Sequence, residues 1–270
     1  MQIVYEADAQ VDQQAAWRVA DRLGIERSAV HGTGQFPHGE PVLLYRGGCW
    51  QLQAADGKHL VEVDFLAPRW QRRLRPANLN GEHLVRALRG RQRDLHGNTV
   101  LDATAGLGGD SLLLAAAGFD VMLVERLPVL VYLLEQAITA AAGDDALAAV
   151  ISRMTPVQAD SIEFMASLKQ AGKQFDFVYL DPMYAVPPTA GQPVAKKRTA
   201  APRKEMVMLQ ALGEQLRAGG DDAGHLLELA LQVARRKVVV KRPLHAASLG
   251  DRPPTSALSG RAARFDIYAI

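Results

Sequence analysis

An α/β fold, a parallel sheet covered by helices on both faces, is predicted for most of this chain, behind a smaller α+β unit. Three observations predict it. From about residue 78 short apolar runs alternate with helical segments, the pattern of strand–helix–strand units. The run Thr99-Val100-Leu101 empties into a glycine loop, Asp102-Ala-Thr-Ala-Gly106-Leu-Gly108-Gly109-Asp110, and the later run Phe175–Leu180 empties into Asp181-Pro182-Met183-Tyr184. Up to about residue 68, by contrast, the pattern has a short period.

The elements follow in order. Asp12–Leu23 reads as a helix stopped by Gly24. Pro41–Tyr45, Gly48–Gln53 and His59–Phe65 read as three strands, with Gly47-Gly48 and Asp56-Gly57 as hairpin turns. This places a small domain over residues 1–75 and a larger one over 76–270. In the larger one, Asn80 is positioned to cap a helix running to Leu88. A helix Asp110–Ala117 follows the glycine loop and stops at Gly118; Asp120–Val124 is the next strand. Pro128 sits in the first turn of the helix after it, where a missing N–H costs little. Thr155–Ala159, Phe175–Leu180 and Lys237–Val240 complete the strands, and Arg264–Ile270 closes the chain.

Composition narrows the function. The 270 residues are enough to bury a large core, and a net charge of +2 does not announce a polyanion partner, so nucleic-acid binding needs local clusters. Cys49 is the sole cysteine, which excludes an internal disulfide or a multi-cysteine zinc site. The histidines have no metal-ligand spacing, so no metal is expected. The first residues do not read as a signal peptide, no apolar run is long enough for a membrane helix, and a cytoplasmic location is expected.

In an open α/β sheet, ligands bind beyond the carboxyl ends of the strands. Gly106, Gly108 and Gly109 let the backbone turn tightly there, and a helix N-terminus offers free N–H groups. Glu125, followed by Arg126, ends the second strand, where a carboxylate can accept from both hydroxyls of a ribose. Asp160-Ser161 ends the third strand and is placed to reach an adenine edge. A nicotinamide cofactor is the rival reading. Ser111 stands where the third glycine of that fingerprint belongs, however, and the acid Asp102 suits the cationic methionine end of S-adenosylmethionine better than a pyrophosphate.

At the other end, Asp181 can hold the N–H groups of a base amine, Pro182 fixes the turn without a donor, and Tyr184 offers a stacking face. An Asp-Pro turn alone is common; following a strand of the same sheet as the glycine loop, it points to methylation of an amine. Lys196, Lys197, Arg198, Arg203 and Lys204 then form a basic stretch that can grip phosphates, and Lys241-Arg242 after the fifth strand can face the same substrate or form a strand-end charge pair. Arg69, Arg72, Arg73, Arg75, Arg86, Arg89, Arg91 and Arg93 form a second basic cluster, either an RNA-facing surface or the polar side of a helix.

With those residues in hand, the sequence resembles the ribosomal RNA small subunit methyltransferase J family over roughly residues 75–270. Val-Leu-Asp102-Ala-Thr-Ala-Gly-Leu-Gly108 and Leu-Val-Glu125-Arg126 carry it loosely. Asp181-Pro-Met-Tyr184, Val-Lys241-Arg242-Pro243 and Arg264-Phe-Asp-Ile-Tyr268 carry it more specifically. The resemblance implies a Rossmann-like class I S-adenosylmethionine-dependent methyltransferase fold. It also implies N2-methylation of one guanosine in the 3′ part of 16S rRNA, with the small ribosomal subunit as partner. Cofactor contacts would fall on Gly109-Asp110, Glu125-Arg126, Asp160-Ser161 and Asp181. The family commonly has Arg at the position of Gly109 and Phe at that of Tyr184. Adenine N6 methylation and a non-catalytic RNA-binding assembly factor are the alternatives that the residues themselves leave open.

Overall fold

The computed structural model describes residues 1–5, 13–27, 30–32, 39–57, 59–92, 94–182 and 223–270. They group into two compact units, one holding Met1–Val61 and the other Glu62–Asp181 with the chain that ends at Ile270.

The first unit is built from β1 (Gln2–Tyr5), α1 (Gln13–Leu23), β2 (Val30–Gly32), β3 (Val42–Arg46), β4 (Cys49–Gln53) and β5 (Leu60–Val61). The strands form one sheet in the order β2-β1-β3-β4-β5, with β1 parallel to both of its neighbours. Gly47 and Gly48 both have positive φ (57° and 83°), the backbone a tight two-residue hairpin demands, so β3 and β4 pair as expected. Two expectations need correction. β1 and β2 were not foreseen, being too short to show a period, and the third predicted strand shrinks to Leu60–Val61. Past Val61 the chain leaves the sheet, and Phe65 and Trp70 join the core of the second unit, so 62–75 packs there and not with the first.

The second unit begins with α2 (Pro68–Arg73), α3 (Pro76–Leu79) and α4 (His83–Arg89). Asn80 does not cap the longer helix: Pro76 starts a separate turn that Asn80 closes, and α4 begins behind Glu82. Then come β6 (Thr99–Asp102), α5 (Gly109–Ala116), β7 (Asp120–Glu125), α6 (Pro128–Ala141), α7 (Ala148–Ile151), β8 (Met154–Gln158), α8 (Ser161–Gln170) and β9 (Phe175–Leu180). The helix Ala223–Val233 leads into β10 (Ala234–Arg242), followed by β11 (Ser256–Ser259) and β12 (Arg264–Ala269).

These strands lie in the order β11-β12-β10-β9-β6-β7-β8. Strands β8 to β10 of that order are parallel, but β12 runs antiparallel to β10 and β11 antiparallel to β12. The parallel sheet expected from sequence is found over β10-β9-β6-β7-β8, and its β11-β12 edge is antiparallel. An antiparallel neighbour needs no crossover helix, and the chain between β10 and β12 holds a short 3-10 turn and β11 but no α-helix. Val100, Phe119, Phe177 and Val239 are fully buried in the core, and Phe119 meets Phe177 edge to face at 5.6 Å. A buried phenylalanine contributes about 2–3 kcal/mol by removal of its surface from water. The strand order reverses between β6 and β9: from β6 the chain builds outward through β7 and β8, then returns to β9. That is where an open α/β sheet has its ligand crevice.

Candidate active site

Strand periodicity and register bring the chemistry together at that crevice. In β9 side chains alternate, so Phe177, Tyr179 and the residue just past the strand, Asp181, share a face. Asp102 is level with Tyr179, and Leu180 with Val240, which sets Lys241 beside Asp181 one step further on. The loop after β6 is folded by backbone geometry: Gly106 and Gly108 have φ of 54° and 71°, a region costly for other residues. A Cβ at Gly108 would lie 2.5 Å from Leu134 Cδ2. At Gly109 it would lie 3.0 Å from the ring of Trp70, a residue sequence reading did not single out.

Asp102 is 1% exposed. Its carboxylate accepts from Ser111 Oγ (2.5 Å) and from the Thr104 N–H (3.1 Å). Burial pushes its pKa up to about 7, although those hydrogen bonds pull the other way. Glu125 accepts from the N–H groups of Gly106 (3.0 Å) and Leu127 (2.8 Å), so it ties the end of β7 to the glycine loop. Burial raises its pKa as well, against those two hydrogen bonds. Arg126 is exposed. Asp160 caps α8, accepting from the N–H groups of Ile162 (2.9 Å) and Glu163 (3.2 Å), while Ser161 Oγ donates to the Ala103 carbonyl. Part of the hydrogen-bonding capacity assigned to an adenine edge is thus used within the fold.

Asp110 and Asp181 are joined in a different way. Lys241 Nζ donates to Oδ2 of both at 2.8 Å. Tyr179 OH donates to the same Asp110 oxygen (2.7 Å), and the Asp181 N–H donates to Thr104 Oγ1 (2.6 Å). Burial works against the charge of Asp110, yet Lys241 beside it leaves its pKa below the usual carboxylate value. For Asp181 burial prevails and the pKa is raised, with Lys241 opposing. Burial and the surrounding acids hold Tyr179 well above the ordinary tyrosine value, so it stays a phenol donor. Lys241, read from sequence either as facing substrate or as part of a strand-end charge pair, sits on two carboxylates. Its strand neighbour Arg242 is 7% exposed and donates from Nε and Nη2 to the Ala247 carbonyl.

The terminal Arg264-Phe-Asp-Ile-Tyr268 motif supports that turn. Arg264 pairs through two hydrogen bonds (2.7 and 2.9 Å) with the fully buried Asp266, and donates to the carbonyls of Leu244 and Ala246. Of the second basic cluster, Arg73 is paired with Glu82 (2.5 Å) above the Trp70 ring and Arg89 donates to Asn80. Arg69, Arg72, Arg75, Arg86 and Arg91 are exposed. Tyr184, Lys196, Lys197, Arg198, Arg203, Lys204 and Arg93 lie outside the described residues. Among those described, no helix is long and apolar enough to cross a membrane, and no group of His, Cys, Asp and Glu is arranged to hold a metal ion.

Tyr179, Ser111, Thr104 and Trp70 were missed. For Tyr179 the signal was present, since it lies two residues before Asp181 on one strand face. Ser111 and Thr104 were visible only as loop and helix residues, and Trp70 had no motif. A donor set of carboxylates and backbone N–H groups at the ends of β6, β7 and β8 fits a cationic ligand bearing ribose hydroxyls. A pyrophosphate there would meet Asp102 and Asp110.

Known proteins agree with that chemistry. Residues 40–270 match the family model described as "Putative SAM-dependent methyltransferase". The ribosomal RNA small subunit methyltransferase J of Thioalkalivibrio sulfidiphilus is 37% identical over 234 residues, 85% of each chain. That of Pseudomonas syringae is 33% identical over 258 residues, covering 95% of this chain and 87% of its own. A crystal structure of a SAM-dependent methyltransferase from Neisseria gonorrhoeae superimposes with a TM-score of 0.69 at 27% identity, covering 99% of this chain and 96% of that one. The chain is an S-adenosylmethionine-dependent methyltransferase with a Rossmann-like fold, and it belongs to the ribosomal RNA small subunit methyltransferase J family.

Proposed function

We propose that the protein methylates N2 of one guanosine in the 3′ part of 16S rRNA, acting in the cytoplasm with the small ribosomal subunit as its partner. The observation that carries the amine half of this reading is Asp181. It is a carboxylate at the strand-order reversal, fastened through one oxygen to Lys241 and through its own N–H to Thr104. The RNA half rests on relatives whose names state small subunit ribosomal RNA.

A base amine is a weak nucleophile because its lone pair is shared with the ring. Bound S-adenosylmethionine supplies a methyl group on positively charged sulfur, which keeps the electron pair when the amine nitrogen takes the carbon. The protein's part is positioning and electrostatics. Asp102, Gly106, Gly108, Gly109, Asp110, Glu125, Arg126, Asp160 and Ser161 are the residues assigned to hold the cofactor, with Asp181 touching it from the substrate end. Asp181 accepts an N–H of the amine, favours tetrahedral character at nitrogen, and holds the proton that nitrogen sheds after transfer. Pro182, lacking an N–H, leaves neighbouring carbonyls to face the base, and Tyr184 stacks on it. Lys196, Lys197, Arg198, Arg203 and Lys204 are assigned to substrate phosphates, with the exposed Arg69, Arg72 and Arg75 as a second source of positive charge.

The test is methylation of small subunits from a strain deleted for this gene, with the product mapped to nucleotide and atom by mass spectrometry. A methyl group on N2 of a single guanosine is expected. Methylation at adenine N6 would transfer the account to the rival base, and cofactor binding without incorporation would make the protein an assembly factor.

A further inference from the structure

Lys241 stands out from the other cations of the second unit. Arg242, Arg264 and Arg73 serve turns, a buried carboxylate or a ring face, whereas Lys241 links two acids that come from different motifs. Asp110 belongs to the first turn of α5 and Asp181 to the end of β9. Among the described residues, Lys241 is the one hydrogen-bond donor to the Asp181 carboxylate, and it engages Oδ2. No donor among the described residues engages Oδ1, the oxygen assigned to accept from a substrate. Asp110 Oδ2 itself accepts from Tyr179 OH, which ties the ammonium group through Asp110 to β9.

We propose that Lys241 is a positioning residue for methyl transfer: its ammonium group fastens one oxygen of Asp181 to Asp110, so that the other oxygen meets the acceptor amine in a single orientation. This rests on the role proposed above for Asp181. Among the described residues, the charged and titratable groups facing Asp181 are Lys241 from β10, Asp110 from α5, Asp102 from β6 and the Tyr179 phenol from β9, with Arg73 of α2 acting on Asp110. Without Lys241, two acids would face each other in a site where burial already disfavours charge. Asp181 would take up a proton at higher pH and would lose its fixed rotamer. A protonated carboxyl accepts from the amine only weakly and cannot take the proton that the nitrogen sheds, so transfer should rise with pH through a limb that shifts upward when Lys241 is neutralised.

The experiment compares wild type, Lys241→Met and Lys241→Arg by methyl-transfer pH profiles and by carbon-13 NMR titration of the aspartate carboxyls, with Asp181→Asn assigning its signal. Lys241→Met is expected to lower kcat about 100-fold at neutral pH and to move both the acid limb and the Asp181 titration upward. Lys241→Arg keeps the charge, so both should return close to wild type, with kcat recovering in part. An unshifted Asp181 titration in Lys241→Met, or equal shifts in Met and Arg variants, would overturn the proposal. Should Lys241→Met not fold, Lys241→Gln carries the same expectations. If wild type transfers no methyl group to ribosomal RNA, the functional reading fails, while the NMR titration still decides the role of Lys241.

Discussion

The two ends of the crevice hold their acids differently. At the glycine-loop end, the carboxylates of Asp102, Glu125 and Asp160 are held by neutral donors: hydroxyl and backbone N–H groups. At the Asp181 end, the acids share an ammonium group. The first arrangement keeps carboxylates oriented without cancelling their charge, which suits a cationic cofactor. The second ties down the charge and the rotamer of the group proposed to meet a neutral amine. Asp102 and Asp110, both in the glycine-loop motif, show the difference: burial pushes one up to about 7, and Lys241 holds the other low. Neighbouring positions in sequence serve different ends of the site.

The comparison can be broken at several points. The largest effect on stability is expected outside both ends, at Arg264, whose partner Asp266 is fully buried. Arg264→Met strands that carboxylate, at a cost of about 3–5 kcal/mol, visible as a large drop in Tm by calorimetry. The folded fraction should retain cofactor affinity, since this pair supports the turn after β10. Next in size is Glu125→Gln, which removes the charge while keeping an acceptor for the backbone. Cofactor Kd should rise about 10–100-fold by titration calorimetry, matching the loss of charge-assisted hydrogen bonds to hydroxyls. An unchanged Kd would remove Glu125 from the cofactor end.

Asp102 gives a pH test. Its pKa is raised in the folded state, so the stability it contributes is fully present below the ordinary value of 3.8 and is lost as pH rises through about 7. Asp102→Asn should therefore raise Tm at pH 8 relative to wild type, by roughly 2–4 °C for each kcal/mol regained, and raise it much less at pH 5. The same variant should bind S-adenosylmethionine more weakly. Greater stability together with full affinity would show that Asp102 serves only the fold. The smallest effect is expected for Gly109→Ala. Its Cβ would press on the Trp70 ring at 3.0 Å, while alanine favours the helix, so stability should change by no more than about 1 kcal/mol. A larger loss, measured by denaturant unfolding, would mean that α2 cannot yield there.

Much of this was legible in the sequence because the fold writes its strongest constraints in short range. The strand at Phe175–Leu180 is found with the bounds read from its apolar run, and the glycine loop lies where the strand before it ends. Position along a strand also foretold that Asp102, Glu125, Asp160 and Asp181 would end their strands. What neighbours do across the sheet was not legible. That Lys241 joins Asp110 to Asp181 depends on β10 lying beside β9, and that Arg242 faces a turn depends on the alternation of side chains along β10. The mixed edge of the sheet was missed for the same reason: a strand's direction is not written in its own residues. Asn80 misled because a good capping residue followed a proline-initiated turn it could close instead.

The central claim is that the Asp181 end does the chemistry while the glycine-loop end holds the cofactor. The most direct test measures S-adenosylmethionine binding and methyl transfer side by side in Asp181→Ala, using calorimetry and labelled-methyl incorporation into subunits that lack the modification. The account predicts a Kd within about 5-fold of wild type and a loss of transfer of about 1,000-fold or more. Transfer near the wild-type rate would contradict it, as would a fall in transfer fully explained by loss of cofactor binding.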